Sequence, residues 1–297
     1  MAETPFRKRI RHLVEGVGAL IGYGLFGLLP VRAASAVGGF LAHTIGPRVG
    51  VSDRARRNLR RAMPDLSEPE IERIVRGMWD NLGRVIAEYP HLGKFKVFVP
   101  DGYVEARGVI QRLKDNPPAA GERYIFFTAH YGNWEIAPLA VHQAGVKSTV
   151  IYRAANNPIV DRLLLHIRRN SGTELIAKGA AGRRAVAAMH KGFQLCLLVD
   201  QKMNTGVAAP FFGRPAMTEN VSARMALRYN CHIVPVRVER LKGVKFRLTF
   251  EEPMELHRTG DDAVDALALT TRINARVEAW IRERPEHWFW LHRRWMD

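Results

Sequence analysis

The sequence predicts an α/β fold: a mostly parallel central sheet flanked by helices, with an N-terminal apolar helical segment that associates with a membrane. Three observations predict it. From residue 124 onward, short apolar runs alternate with stretches of helical periodicity, the mark of successive strand–helix units. The 297-residue chain is 47% hydrophobic, ample for one core, and has no internal repeat, low-complexity tract or clear interdomain linker. Two uncharged blocks, 16–31 and 33–47, follow a basic start. The chain therefore divides into a membrane-associating segment, 1–60, and an α/β domain, 61–297.

Arg7, Lys8, Arg9 and Arg11 precede the first uncharged block, which is rich in glycine, leucine and aromatics. A cleaved leader fits that start, but the basic, cysteine-poor remainder carries no other mark of secretion. A spanning helix needs about 20 apolar residues, and Pro30 cuts the block short. The expectation is an uncleaved anchor dipping into or lying on the bilayer, with a glycine-rich core helix as the alternative. The basic residues place that flank on the cytoplasmic side. Arg54, Arg56, Arg57, Arg60 and Arg61 follow. They are expected to reach anionic headgroups, at about 1 kcal/mol each; otherwise they form a solvated helix face.

Ser67-Glu-Pro-Glu70 is a capping box with proline in the first turn, so a helix starts near Glu68. Its apolar positions, from Ile71 through Met78 to Ile86, recur at helical spacing until Pro90 and Gly93 end it. Strands are predicted at Tyr124–Ala129, Ser148–Tyr152, Gln194–Val199 and Ile233–Val238, with a more amphipathic one at Val244–Phe250. Helices are predicted near Trp134–Ala144, Pro158–Ser171, Ala180–Lys191, Val221–Asn230 and Ala263–Arg284.

Forty-five Lys+Arg against 29 Asp+Glu give a net charge of +16, which favours anionic partners. Nucleic acid is not expected, because no helix-turn-helix, RNP, zinc or KH pattern is present. The two cysteines, Cys196 and Cys231, lie in apolar runs and read as reduced core residues.

The segment Phe126-Phe-Thr-Ala-His-Tyr-Gly-Asn-Trp-Glu135 stands out. A buried strand is expected to end at His130, a tight turn to form at Gly132-Asn133, and a helix to begin near Trp134. Catalytic groups gather at the carboxyl ends of strands in open α/β sheets. From the first helical turn, Glu135 is expected to reach back to one ring nitrogen of His130 and fix its tautomer. The helix N-terminus offers N–H donors to a developing oxyanion. The alternative is that His130 caps a strand and Glu135 a helix. The spacing is not the zinc signature and no third ligand stands nearby, so neither metal nor cofactor is expected.

His-Tyr-Gly-Asn-Trp-Glu resembles the His-x4-(Asp/Glu) motif of glycerolipid acyltransferases, and more narrowly the late acyltransferases of lipid A biosynthesis. Three further stretches carry the narrower likeness: Tyr152-Arg153 with Asn156-Asn157-Pro158 and Arg168-Arg169; Asp200-Gln201 with Pro210-Phe-Phe-Gly213; and Pro285-Glu-His-Trp-Phe-Trp-Leu-His-Arg-Arg-Trp295. The likeness covers nearly the whole chain. It departs at Thr218-Glu219-Asn220, where the family has small residues.

The resemblance implies acyl transfer from acyl carrier protein to a hydroxyl of a lipid A precursor, at the cytoplasmic face of the inner membrane and in contact with its lipids. It makes His130 the general base and Glu135 its partner. It marks Arg168 and Asp200 as functional, with Arg153 a further candidate; Arg169 and Asn133 join these three as expected substrate-binding residues. The arginines suit lipid phosphates or form a solvated face; Asp200 suits a structural and substrate-orienting role. An acceptor on another membrane glycolipid, or on a glycerophospholipid precursor, is the alternative. Phe211-Phe212 reads equally as core or as acyl-chain lining. The C-terminal tryptophans read equally as an interfacial belt or as the domain's last packed element, with their arginines reaching outward.

Overall fold

The computed structural model describes residues 5–170, 174–177 and 181–295. Two helices come first, α1 (Pro5–Leu28) and α2 (Val31–Ile45), broken at Pro30 as its missing N–H requires. Next come α3 (Ser52–Ala62) and α4 (Glu68–Glu88), the latter begun by the expected Ser67/Glu70 capping box. The domain continues β1 (Val104–Gly108), α5 (Val109–Asp115), β2 (Tyr124–Thr128), α6 (Ile136–Gln143), β3 (Ser148–Tyr152), α7 (Pro158–Asn170) and β4 (Glu174–Ala177). It ends α8 (Ala181–His190), β5 (Gln194–Leu198), β6 (Lys202–Phe211), β7 (Arg214–Thr218), α9 (Val221–Tyr229), β8 (His232–Lys242), β9 (Lys245–Phe250) and α10 (Asp262–Glu283). Ser171 and Ala180, expected as helix ends, lie outside the described residues.

The α/β expectation holds. The seven-stranded sheet has the order β1-β9-β8-β2-β5-β3-β4, and all neighbouring strands run parallel except β8 and β9. β2 is buried along its whole length because both faces are covered. Ile125 and Phe127 face a core built with α4, α9 and α10, whereas Tyr124 and Phe126 face one built with α5 and α6. β6 and β7 pair as a separate hairpin. This hairpin, β1, β4 and α5 go beyond the sequence expectations; β6 carries no steady in–out alternation, and β4 is only four residues long.

α2 crosses α4 at a glycine pair. A Cβ on Gly83 would lie 2.2 Å from Gly38 O, and one on Gly38 2.5 Å from Gly83 O, so the two backbones meet directly. α1 rests on the start of α7, where Gly16 leaves room for Ile159. The glycine-rich blocks thus use one face for packing. Their other faces are exposed: Leu13, Leu20 and Leu28 on α1, and Phe40 and Ile45 on α2. No described helix is long and apolar enough to cross a membrane.

Candidate active site

The carboxyl ends of β2 and β5 place two groups side by side. These strands are parallel neighbours in the register Thr128↔Leu198. Continuing that register two residues past each strand sets His130 opposite Asp200. The carboxylate accepts twice from His130: from the backbone N–H at 3.0 Å (Oδ2) and from ring Nδ1 at 2.8 Å (Oδ1). Trp288 Nε1 donates to Oδ2 at 2.8 Å. Burial pushes the Asp200 carboxyl up, but the His130 charge and these hydrogen bonds outweigh it and hold the group well below the usual carboxylate range. An ionised Asp200 keeps the proton on Nδ1 and leaves Nε2 as the free base. Gln201 lies 3.3 Å from Nε2.

His130 is therefore oriented by Asp200 rather than by Glu135, a correction to the sequence reading. Glu135 is buried and turned toward α7, where Arg168 clasps it at 2.6 and 3.0 Å. Tyr89 Oη and Trp134 Nε1 complete its bonding at 3.1 and 3.2 Å. Burial raises the Glu135 carboxyl, yet the Arg168 charge prevails and holds it below its ordinary value; Arg168 is raised in turn. Arg168 is thus committed to a protein carboxylate.

Asn133 is fully buried. Its Nδ2 donates to Glu88 at 2.7 Å and its Oδ1 accepts from the Glu135 N–H at 3.3 Å, so it holds the turn rather than facing substrate. Gly132 makes that turn possible: its φ is +59°, and a Cβ there would lie 2.1 Å from Val238 O. Of the N–H groups at the start of this helix, those of Glu135, Ile136 and Ala137 bond within the turn, to Asn133 Oδ1, Asn133 O and Trp134 O. Arg153 is exposed at the cavity, whereas Arg169 is exposed on α7 away from it.

His130, Glu135, Arg153, Arg168 and Gln201 share one cavity of about 340 Å³. Its apolar wall includes Phe126, Ala137, Val141, Val150, Cys196 and Val236, from both sheet and α6. Burial pushes the Cys196 thiol up to about 12, so it is wall and not nucleophile. Glu219 reaches the cavity while capping α9 through the N–H of Val221 and the hydroxyl of Ser222.

The C-terminal segment closes the rear of the site. Phe289 N–H bonds His130 O at 3.0 Å, and Tyr131 bridges to Trp288. Trp288, Trp290 and Trp295 are all buried, as is Arg294, so this is the last packed element and that arginine does not reach outward. Phe211 and Phe212 are core as well. Of the second basic cluster, Arg56 pairs with Glu72 and Arg54 donates to Leu291 O, whereas Arg60 pairs with Glu68 on the exposed surface.

Sequence reasoning missed the two C-terminal partners of this site, Trp288 and His292. The His292 ring stands 4.8 Å from that of His130, and burial drives its basicity down to about 3, so it is neutral. His130, Asp200 and His292 form the one cluster of metal-ligating type among the described residues. The first two are joined by the 2.8 Å hydrogen bond between Nδ1 and Oδ1, with the neutral His292 ring beside them.

A family model for bacterial lipid A biosynthesis acyltransferases matches residues 3–297. Lipid A biosynthesis acyltransferase 1 of Shigella flexneri is 25% identical over 285 residues, covering 93% of this chain and 84% of that protein. Lipid A biosynthesis myristoyltransferase of Escherichia coli (strain K12) gives the same identity and coverage. A lipid A biosynthesis acyltransferase of Haemophilus influenzae is 22% identical over 278 residues, 90% of this chain and 83% of its own.

Proposed function

The chain belongs to the bacterial lipid A biosynthesis acyltransferase family, and on that premise we propose that it moves a fatty acyl group from acyl carrier protein to a hydroxyl of a lipid A precursor, with His130 as general base. The observation that carries this reading is the His130–Asp200 dyad opening onto an apolar cavity. The acyl chain occupies the apolar wall and its thioester carbonyl lies beside Nε2. His130 Nε2 takes the proton of the acceptor hydroxyl as that oxygen attacks the carbonyl carbon. Asp200 stabilises the imidazolium. The carbon–sulfur bond then breaks, and the thiolate leaves with the proton from Nε2. General-base catalysis of this kind contributes about 10²–10⁴-fold. No acyl-enzyme is needed.

Glu135 and Arg168 form the wall that shapes the cavity, and exposed Arg153 is the candidate for an acceptor phosphate. The protein lies on the membrane rather than through it. α1 carries exposed Phe6, Ile10, Leu13, Val17, Leu20 and Leu28 on one face, and α2 adds Val37, Phe40, Leu41 and Ile45. With Arg7, Lys8, Arg9 and Arg11 at its start, this surface suits the interface of an anionic, cytoplasm-facing inner-membrane leaflet.

The test is to incubate purified protein in anionic vesicles with a panel of acyl carrier protein thioesters and a lipid A precursor, and to read product mass. One added acyl chain in the wild type and none in His130→Ala supports the proposal. Acylation of a glycerol phosphate acceptor instead, or equal product from His130→Ala, refutes it.

A further inference from the structure

A second buried ion pair lies behind the His130 turn, and the reaction as described makes no use of it. Glu88, at the C-terminus of α4, has no exposed surface, and Arg240 of β8 is 6% exposed. The pair is bidentate, at 2.6 and 3.0 Å. The same carboxylate accepts from Ser35 Oγ of α2 and from Asn133 Nδ2 of the turn, both at 2.7 Å. Arg240 Nε donates to Asn81 Oδ1 at 2.9 Å, and Asn81 Nδ2 donates to Gly132 O at 3.0 Å. Arg240 Nη1 also reaches Gly243 O at 2.8 Å.

Burying such a pair is not in itself a gain in stability, because desolvation offsets the attraction. What the network supplies is geometry. Its two amide arms end on Gly132 and Asn133, the residues that turn the chain between His130 and Glu135. On the far side of the turn, Arg168 holds Glu135. The turn is thus gripped from front and rear by two separate ion pairs.

We propose that Glu88 and Arg240 are positioning residues: acting through Asn133 and Asn81, they hold the Gly132–Asn133 turn so that the His130 imidazole stays seated against Asp200. The inference rests on the reading of His130 as base. The Ser35 contact extends the network to α2, so the seating of the helix with the exposed apolar face reaches the catalytic turn.

Asn133→Ala is the sharpest probe, since it cuts the arm to the turn and leaves the ion pair whole. Glu88→Gln removes the charge while keeping the shape. Leu269→Ala, in the α10 core, controls for lost stability alone. Displacing a catalytic group by about 1 Å costs on the order of 10²-fold. At a temperature where all variants are folded, Asn133→Ala lowers kcat by about that factor with the donor KM unchanged. A loosened His130 also weakens its Nδ1–H hydrogen bond to Asp200, which nitrogen NMR of the imidazole reports. Leu269→Ala changes neither. Wild-type kcat and an unchanged imidazole spectrum in Asn133→Ala, with His130→Ala inactive, overturn the inference. Turnover retained in His130→Ala overturns the general-base reading and this inference with it.

Discussion

Replacing Asp200 with asparagine separates the tautomer of His130 from the shape of the site. Oδ2 accepts from two donors, the His130 N–H and Trp288 Nε1. The one oxygen of an asparagine therefore takes that position, and its NH₂ group faces Nδ1 where Oδ1 now accepts at 2.8 Å. Two donors cannot face each other, so the ring proton moves to Nε2. The nitrogen that faces the acceptor hydroxyl can then no longer take a proton. The loss is that of a general base, about 10²–10⁴-fold in kcat, or about 2.7–5.4 kcal/mol of barrier. Donor KM stays close to wild type, because the apolar wall is untouched. The assay is the initial rate of acyl transfer near neutral pH, beside nitrogen NMR of the imidazole to report the tautomer. Asp200→Asn turning over within a few-fold of wild type, with its ring proton moved to Nε2, refutes the reasoning.

Arg168→Ala leaves Glu135 buried without its partner and lowers unfolding stability by about 3–5 kcal/mol, measured by denaturant titration; Arg168→Lys recovers part of it but not the bidentate geometry. Gly132→Ala forces a Cβ to 2.1 Å from Val238 O at a positive φ, so it lowers both melting temperature and activity. His287 and His292 are both pushed by burial down to about 3. Between their ordinary value of about 6.5 and about 3, the unfolded chain takes up protons that the folded one refuses. Stability is full above this window and falls with pH through it, by up to about 1.4 kcal/mol per pH unit for each histidine. Melting curves of His287→Asn against pH should show a flatter slope than wild type. Leu13→Glu with Leu20→Glu, both on the exposed face of α1, should release the protein from anionic vesicles in a sedimentation assay while turnover of a soluble thioester persists.

Much of the architecture was legible because it is written locally. The Ser67/Glu70 box, the 3.6-residue rhythm of α4 and the unbroken apolar run of β2 each depend on residues a few positions apart. The β6–β7 hairpin escapes the sequence reading because β6 shows no steady alternation of buried and exposed positions. Within the site, His130 could be placed at a strand end from its own neighbourhood. Its orienting partner cannot be, because Glu135 is the carboxylate near it in sequence whereas Asp200 lies 70 residues away.

What sequence alone determined is therefore the alternating fold, the imidazole at the strand end and the family likeness carried by four short stretches. Only the tertiary structure decided who touches whom. Asp200 meets His130 across 70 residues because β5, and not β3, lies beside β2. Arg168 meets Glu135, and Glu88 meets Arg240, because helices and sheet enclose them together. Helical and strand periods are local properties of a chain; pairing between buried charges depends on strand order and on which faces the core closes over.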